Sequence, residues 1–197
     1  MLRASLICVW ALLGIACTTV GSHDLKAQRA IDYGTPTTVR VCVLREASIP
    51  VARVEALISS LQEEMTPYGV RVELARVEVA PRGGFTVWGI MGALQSTELP
   101  AGCDFLLQLV GRHMGDSAWM LLPLPEVLGA VDAIGGQRLY VVAGYNPLSL
   151  NQRVSPPAEI LKHEFYHLLG CEHAMDMGEC YSLMALWKRS RTDGEGE

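Results

Sequence analysis

The sequence lacks any run of basic residues with interleaved aromatics, and it has few charged residues of either sign. Only 19% of its 197 residues are charged, and acidic residues outnumber basic ones, which gives a formal net charge of −5. A nucleic-acid-binding surface needs a basic patch, so the composition argues against nucleic acid as a partner. Hydrophobic residues make up 50% of the chain, which argues against disorder, and the length suits one domain with a sizeable core.

The N-terminal segment, residues 1–21, has the layout of an export signal. A single cation, Arg3, precedes an uncharged and mostly apolar stretch that ends in small residues. A retained membrane anchor is the alternative, because a bilayer is spanned by roughly 17–20 apolar residues. Residues 14–17, GIAC, also resemble a bacterial lipobox with Cys17 as the lipidated residue, whereas a plain signal-peptidase site remains open. We therefore expect membrane contact only through the signal or a lipid anchor.

Six cysteines are present, and four remain once the leader is set aside. An even number suits an oxidising compartment. Cys171 and Cys180 are nine residues apart and could close a short loop as a disulfide. Cys42 and Cys103 lie in strand-like segments, where they could either be buried free thiols or form a second bridge.

The hydrophobic pattern predicts a mixed α/β sheet with helices packed on it. The predicted strands are residues 37–44, 70–79, 103–111, an edge strand within 126–136, and 138–145. From Val51 to Met65, apolar residues recur at spacings of three and four, as is typical of an amphipathic helix. Residues 22–36 are polar and are interpreted as a linker, and residues 191–197 as a flexible acidic tail.

A second helix is predicted from Ser155 to Gly170. Serine is a common N-cap, proline is tolerated in a first turn, and glycine is a common C-terminal stop. In such a helix His163 and His167 lie one turn apart on the same side.

The segment HEFYHLLGCEH, residues 163–173, has the residue types and spacing of a catalytic zinc site. Zinc in hydrolytic sites commonly takes three protein ligands and leaves a fourth position for water. Gly170 permits a positive-φ exit from the helix, so the third histidine can approach from another direction, and Glu164 can reach the water. A helix with ordinary surface histidines would match the whole HExxHxxGxxH pattern by chance far less often than it would match the shorter HExxH pattern. The predicted ligands of one catalytic Zn²⁺ are His163, His167 and His173.

The same segment resembles the zinc signature of the metzincin metalloproteases, without matching one subfamily. The resemblance implies the three histidine ligands, Glu164 as general base, and a tight turn that carries a methionine beneath the metal. Residues 180–186, CYSLMAL, resemble that turn and make Met184 the expected Met-turn residue. The resemblance also implies a metzincin-like domain over residues 37–190, with a mixed five-stranded sheet, packed helices and an active-site helix. Because few residues follow Met184, we expect a short C-terminal subdomain.

These features predict an exported zinc endopeptidase. Glu164 would take a proton from the metal-activated water, and an extended peptide would pair with the edge strand near residues 127–133. We expect a peptide or protein substrate, a secreted or cell-envelope location and a monomeric protein. The alternative is a catalytically weak or inactive metzincin-like envelope binding protein. Glu164 argues against it, because a purely structural site has no use for a base beside an open coordination position.

Overall fold

The structure, a computed structural model, describes residues 23–112, 127–144, 152, 155–173 and 175–194. Its strands are β1 (Thr37–Arg45), β2 (Val70–Val79), β3 (Phe105–Val110), β4 (Gly129–Val131) and β5 (Arg138–Val142). The helices of the described residues that concern us are α1 (Leu25–Ala30), α2 (Val51–Met65), α3 (Val87–Ser96), α4 (Pro157–Leu168) and α5 (Met177–Gly194). The predicted leader and its candidate lipidation residue Cys17 lie outside the described residues.

One mixed sheet of five strands organises the fold. The strand order is β2-β1-β3-β5-β4, with β1, β2, β3 and β5 parallel and β4 antiparallel to β5. The expected α/β class and five-stranded mixed sheet are confirmed. The strand expected within residues 126–136 lies at the edge of the sheet, as predicted, but it is short.

Helices pack on the sheet, and its central strand β3 is apolar at every position except Gln108. All six residues of β3 are buried, as expected for a parallel strand with both faces covered. Helix α2 buries the apolar positions that its sequence spacing predicts. These are Val54, Leu57, Ile58, Leu61 and Met65. Helix α3 was not predicted; Thr86 caps it by accepting a hydrogen bond from the Gly89 backbone N–H.

Residues 22–36 were interpreted as a linker, but the described part of this segment, from residue 23 on, is partly folded onto the domain, so that interpretation is corrected. Asp24 caps α1 by accepting hydrogen bonds from two backbone N–H groups. Ile31 and Tyr33 pack against the core, and the Tyr33 ring meets the Tyr68 ring edge-on at 5.4 Å. The few apolar side chains of an otherwise polar segment therefore give it contacts that hold it in place.

The C-terminal region also differs from expectation. Helix α5 has 18 residues and includes positions 191–194, which were expected to be part of a flexible tail. Buried Lys188 donates a hydrogen bond to the Tyr68 carbonyl oxygen at 2.8 Å. Arg191 forms an ion pair with Asp104 and lies over the Trp187 ring. These contacts anchor the last turns of α5 and explain why the helix extends past residue 190.

Two disulfides are present among the described residues. The Cys171–Cys180 bridge is confirmed, and Cys42 is joined to Cys103, which settles the choice between thiols and a bridge at that pair. Disulfides are typical of proteins in oxidising compartments. Among the described helices, none has both the length and the apolar character required to cross a membrane.

Candidate metal centre

Helix α4 carries two of the three predicted metal ligands and is held firmly by the sheet. It begins at Pro157 with Pro156 at the N-cap position, so Ser155 is not the cap that we expected. Its buried face includes Ile160, Leu161 and Phe165, and the helix packs against β4, β5 and α2.

The chain leaves α4 in a sharp turn that depends on glycine. Gly170 has φ +99°, a conformation that favours glycine because it has no Cβ. Its backbone N–H and that of Gly135 both donate to the His167 carbonyl oxygen, at 3.1 and 2.8 Å. The Cys171 N–H donates to the Tyr166 carbonyl oxygen at 3.0 Å. The turn therefore closes the helix end and directs the following residues, including His173, back toward the helix.

The three predicted ligands converge on one point. The Nε2 atoms of His163, His167 and His173 are 3.1 Å from one another in all three pairs. The centre of an equilateral triangle with this edge is about 1.8 Å from each corner, so a point slightly above the triangle is about 2 Å from all three nitrogens, the usual zinc–nitrogen distance. The three side chains thus fit a single zinc ion as three of its four tetrahedral ligands.

The protonation state of His167 also suits a metal ligand. Its Nδ1 lies 2.5 Å from the Cys171 carbonyl oxygen, and because a carbonyl can only accept, Nδ1 carries the proton. The Nε2 atom is then a lone-pair donor directed at the other two histidines. Burial lowers the pKa of His167, and nearby His173 acts in the same direction, which favours the neutral imidazole that binds metal.

Glu164 is on α4, and its side chain packs against the edge strand β4. A Cβ atom added at Gly129 of β4 would lie 2.8 Å from Glu164 Cγ and 3.0 Å from Glu164 Oε1. Glu164 is only 9% exposed, and burial raises its pKa to about 7. A dication bound at the histidines would act in the opposite direction by stabilising the carboxylate.

Gly129→Ala should disturb Glu164 without removing the metal ligands. The added Cβ would also be 2.7 Å from Ile160 Cγ2, so α4 or the Glu164 side chain must shift. We expect metal binding at the histidines to be unchanged, and an activity in which Glu164 takes part to fall by about tenfold or more, since small misplacements of a catalytic group are costly. Gly92→Ala is the matched control, because nothing lies within 4 Å of its added Cβ. Unchanged activity of Gly129→Ala would contradict the placement of Glu164 against β4.

The expected tight turn at residues 180–186 is not formed, and this part of the prediction is wrong. Met184 lies inside α5 and is fully buried. The Asp176 side chain accepts a hydrogen bond from the Glu179 N–H and starts the helix, and no proline or glycine interrupts it from Glu179 to Asp193. The Met184 sulfur is 4.0 Å from Cys180 Sγ. Its expected place beneath the metal stays a prediction.

Some residues that build the site were not predicted from the sequence. The Cys171 carbonyl oxygen orients His167, and the Gly135 N–H binds the end of α4. Gly129 provides the space that Glu164 occupies. Backbone groups and a missing side chain leave no motif in the sequence.

Fold and site together define a mixed α/β domain with a three-histidine candidate metal centre, formed by a helix packed against the sheet and the loop that follows it. No family model matches the sequence, and no curated protein matches it. Among solved structures, the chain is similar to an archaemetzincin from Methanopyrus kandleri, with 16% sequence identity and a TM-score of 0.47. The match covers 79% of this chain and 96% of the archaemetzincin chain. A similarity this low carries no conclusion about the site.

Proposed function

We propose that this chain is a zinc-dependent endopeptidase. The observation that carries the proposal is the set of three Nε2 atoms at mutual distances of 3.1 Å. The carboxylate of Glu164 is on α4, the helix that also carries His163 and His167. Imidazole is a common ligand of zinc, and three protein ligands with an open fourth position are typical of catalytic rather than structural zinc sites.

The protein side of the proposed reaction depends on Glu164. A bound zinc ion would polarise the scissile carbonyl and make the attacking water more acidic. Glu164 accepts the proton of that water and passes it to the leaving amine. Its largely buried position against β4 favours this role, because a carboxylate held between two elements is already oriented and loses little freedom on binding substrate.

The edge strand is the proposed docking site for a peptide or protein substrate. In the sheet formed by the described residues, β4 pairs with β5 on one side only. An extended peptide can add to such an edge through backbone hydrogen bonds. Glu164 lies against Gly129, which belongs to β4. A peptide paired with β4 would therefore pass close to the proposed base.

We also propose that the protein acts outside the cytoplasm, in a secreted or envelope-bound form. The leader-like residues 1–21 support export, with Cys17 as the candidate anchor point. The two disulfides support an oxidising location.

A peptide-library digest tests the proposed activity directly. Zinc-loaded protein without its leader should cleave internal peptide bonds, a chelator should abolish cleavage, and added zinc should restore it, because the metal is essential to the proposed chemistry. Mass spectrometry of the products gives both the cleavage positions and the residue preference. Zinc-loaded protein that cleaves nothing would refute the enzyme assignment and favour an envelope binding protein with the same fold.

A further inference from the structure

We infer that the Cys171–Cys180 disulfide is a positioning element of the metal centre and sets how tightly the histidines hold zinc. The inference depends on the proposed function only in taking zinc as the bound ion. The bridge connects the segment that follows α4 with the first turn of α5, and both cysteines are completely buried.

The first connection from the bridge to the metal centre runs through His167. The Cys171 carbonyl oxygen accepts the Nδ1–H hydrogen bond of this ligand at 2.5 Å. Two constraints hold Cys171 itself: its N–H donates to the Tyr166 carbonyl oxygen, and its side chain is covalently fixed to Cys180. The bridge therefore helps to orient the carbonyl group that fixes the ring of His167, and such partners of metal ligands influence metal affinity strongly.

The second connection runs through His173. This ligand lies inside the loop that the bridge closes, between two cysteines nine residues apart. His173 is exposed, whereas His167 is buried on α4, so His173 depends more on the constraint of its own loop. The far end of the loop is fixed by α5, where Asp176 caps the helix beside Cys180. Without the bridge, zinc would have to order this loop on binding, and the lost conformational entropy would weaken affinity.

The other disulfide provides a matched control. Cys42 lies in β1 and Cys103 precedes β3, so neither belongs to α4 or to the ligand-bearing loop. The Cys42–Cys103 bridge closes a much longer segment, with a sequence separation of 61. In the chain-entropy account its removal should cost at least as much global stability as removal of the Cys171–Cys180 bridge.

The test compares the zinc dissociation constants of the parent, C171A/C180A and C42A/C103A. They are measured by competition with a chromophoric chelator, at a temperature where circular dichroism shows each zinc-free protein to be folded. We expect the dissociation constant of C171A/C180A to rise about 10–100-fold. The dissociation constant of C42A/C103A should stay within about twofold of the parental value, because this bridge and the metal centre are independent sites. The single variant C180S, which leaves the ligand segment unchanged, should show the same direction of change and replaces C171A/C180A if that protein does not fold.

The outcomes separate this inference from the proposed function. A parent that binds no zinc overturns both. A parent that binds zinc tightly, with C171A/C180A or C180S within about twofold of it, overturns the positioning role and leaves the peptidase proposal standing. An equal loss of affinity in both double variants also overturns it, because the effect would then follow general stability rather than the ligand loop. Zinc affinity needs no substrate, so absent peptidase activity does not affect the result.

Discussion

Replacing Glu164 with glutamine should reduce peptide hydrolysis by at least about 10²-fold, the usual scale for losing a general base. Zinc should remain bound. Glutamine has nearly the same shape, so its contact with Gly129 is retained. It cannot accept the proton of the attacking water. The proposed metal ligands are three imidazoles, which this substitution does not touch. The measurements are kcat/KM on a peptide identified from the library and the zinc content of the purified variant.

The control for this experiment is Glu172→Gln, which removes a carboxylate beside the ligand His173. Glu172 is exposed, so its loss changes the local charge by the same amount without removing the proposed base. We expect this control to keep most of the parental activity. Glu164→Gln protein with activity close to the parent would show that another group takes the proton, and the proposed role of Glu164 would then be abandoned.

Replacing His167 with alanine should abolish stoichiometric zinc binding. His167 is the most buried of the three ligands, at 2% exposure, and its Nε2 is in contact with the other two nitrogens. Because a ligand that binds only the folded state stabilises it, zinc should raise the Tm of the parent and leave that of His167→Ala unchanged. Elemental analysis and thermal unfolding with and without zinc measure the two effects.

Two variants serve as controls for the loss of zinc. His23→Ala removes a histidine outside the cluster, whose Nε2 lies 3.5 Å from Glu64 Oε1 and whose side chain is 50% exposed. Met184→Leu replaces a buried residue of α5 by one of similar volume. Both should retain one zinc per chain. Full zinc occupancy in His167→Ala, or its loss from His23→Ala, would contradict the assigned ligand set.

Much of the fold follows from local patterns. The apolar spacing from Val51 to Met65 predicts α2 with the observed bounds, and alternation predicts β1 and β2 closely. The elements missed, α1 and α3, have little local signal. Helix α1 is six residues long and buries none of its own side chains fully, and α3 follows a glycine-rich stretch. Both are stabilised by contacts with distant parts of the chain, which periodicity does not contain.

The Met184 segment shows that a resemblance in sequence need not predict the local conformation. The stretch CYSLMAL contains no proline or glycine that would require a turn. Its residues can continue a helix, and the Asp176 cap and the contacts of Lys188 and Arg191 make the helix the stable choice. The position of the methionine in the motif carries no information about those contacts.

The sequence by itself determined the identity and spacing of the three candidate metal ligands. Two histidines four residues apart on a helix must share a side, and the positive-φ glycine at position 170 lets the chain turn toward a third. These are local constraints, so they can be read from eleven consecutive letters of the sequence. Only the tertiary structure decided which groups contact His167 and Glu164. The Cys171 carbonyl oxygen is held in place by the bridge to Cys180, and Gly129 leaves space for the Glu164 side chain where α4 packs against the sheet edge. The contact between Gly129 and Glu164 joins residues far apart in the chain, and its energy depends on how the whole core packs.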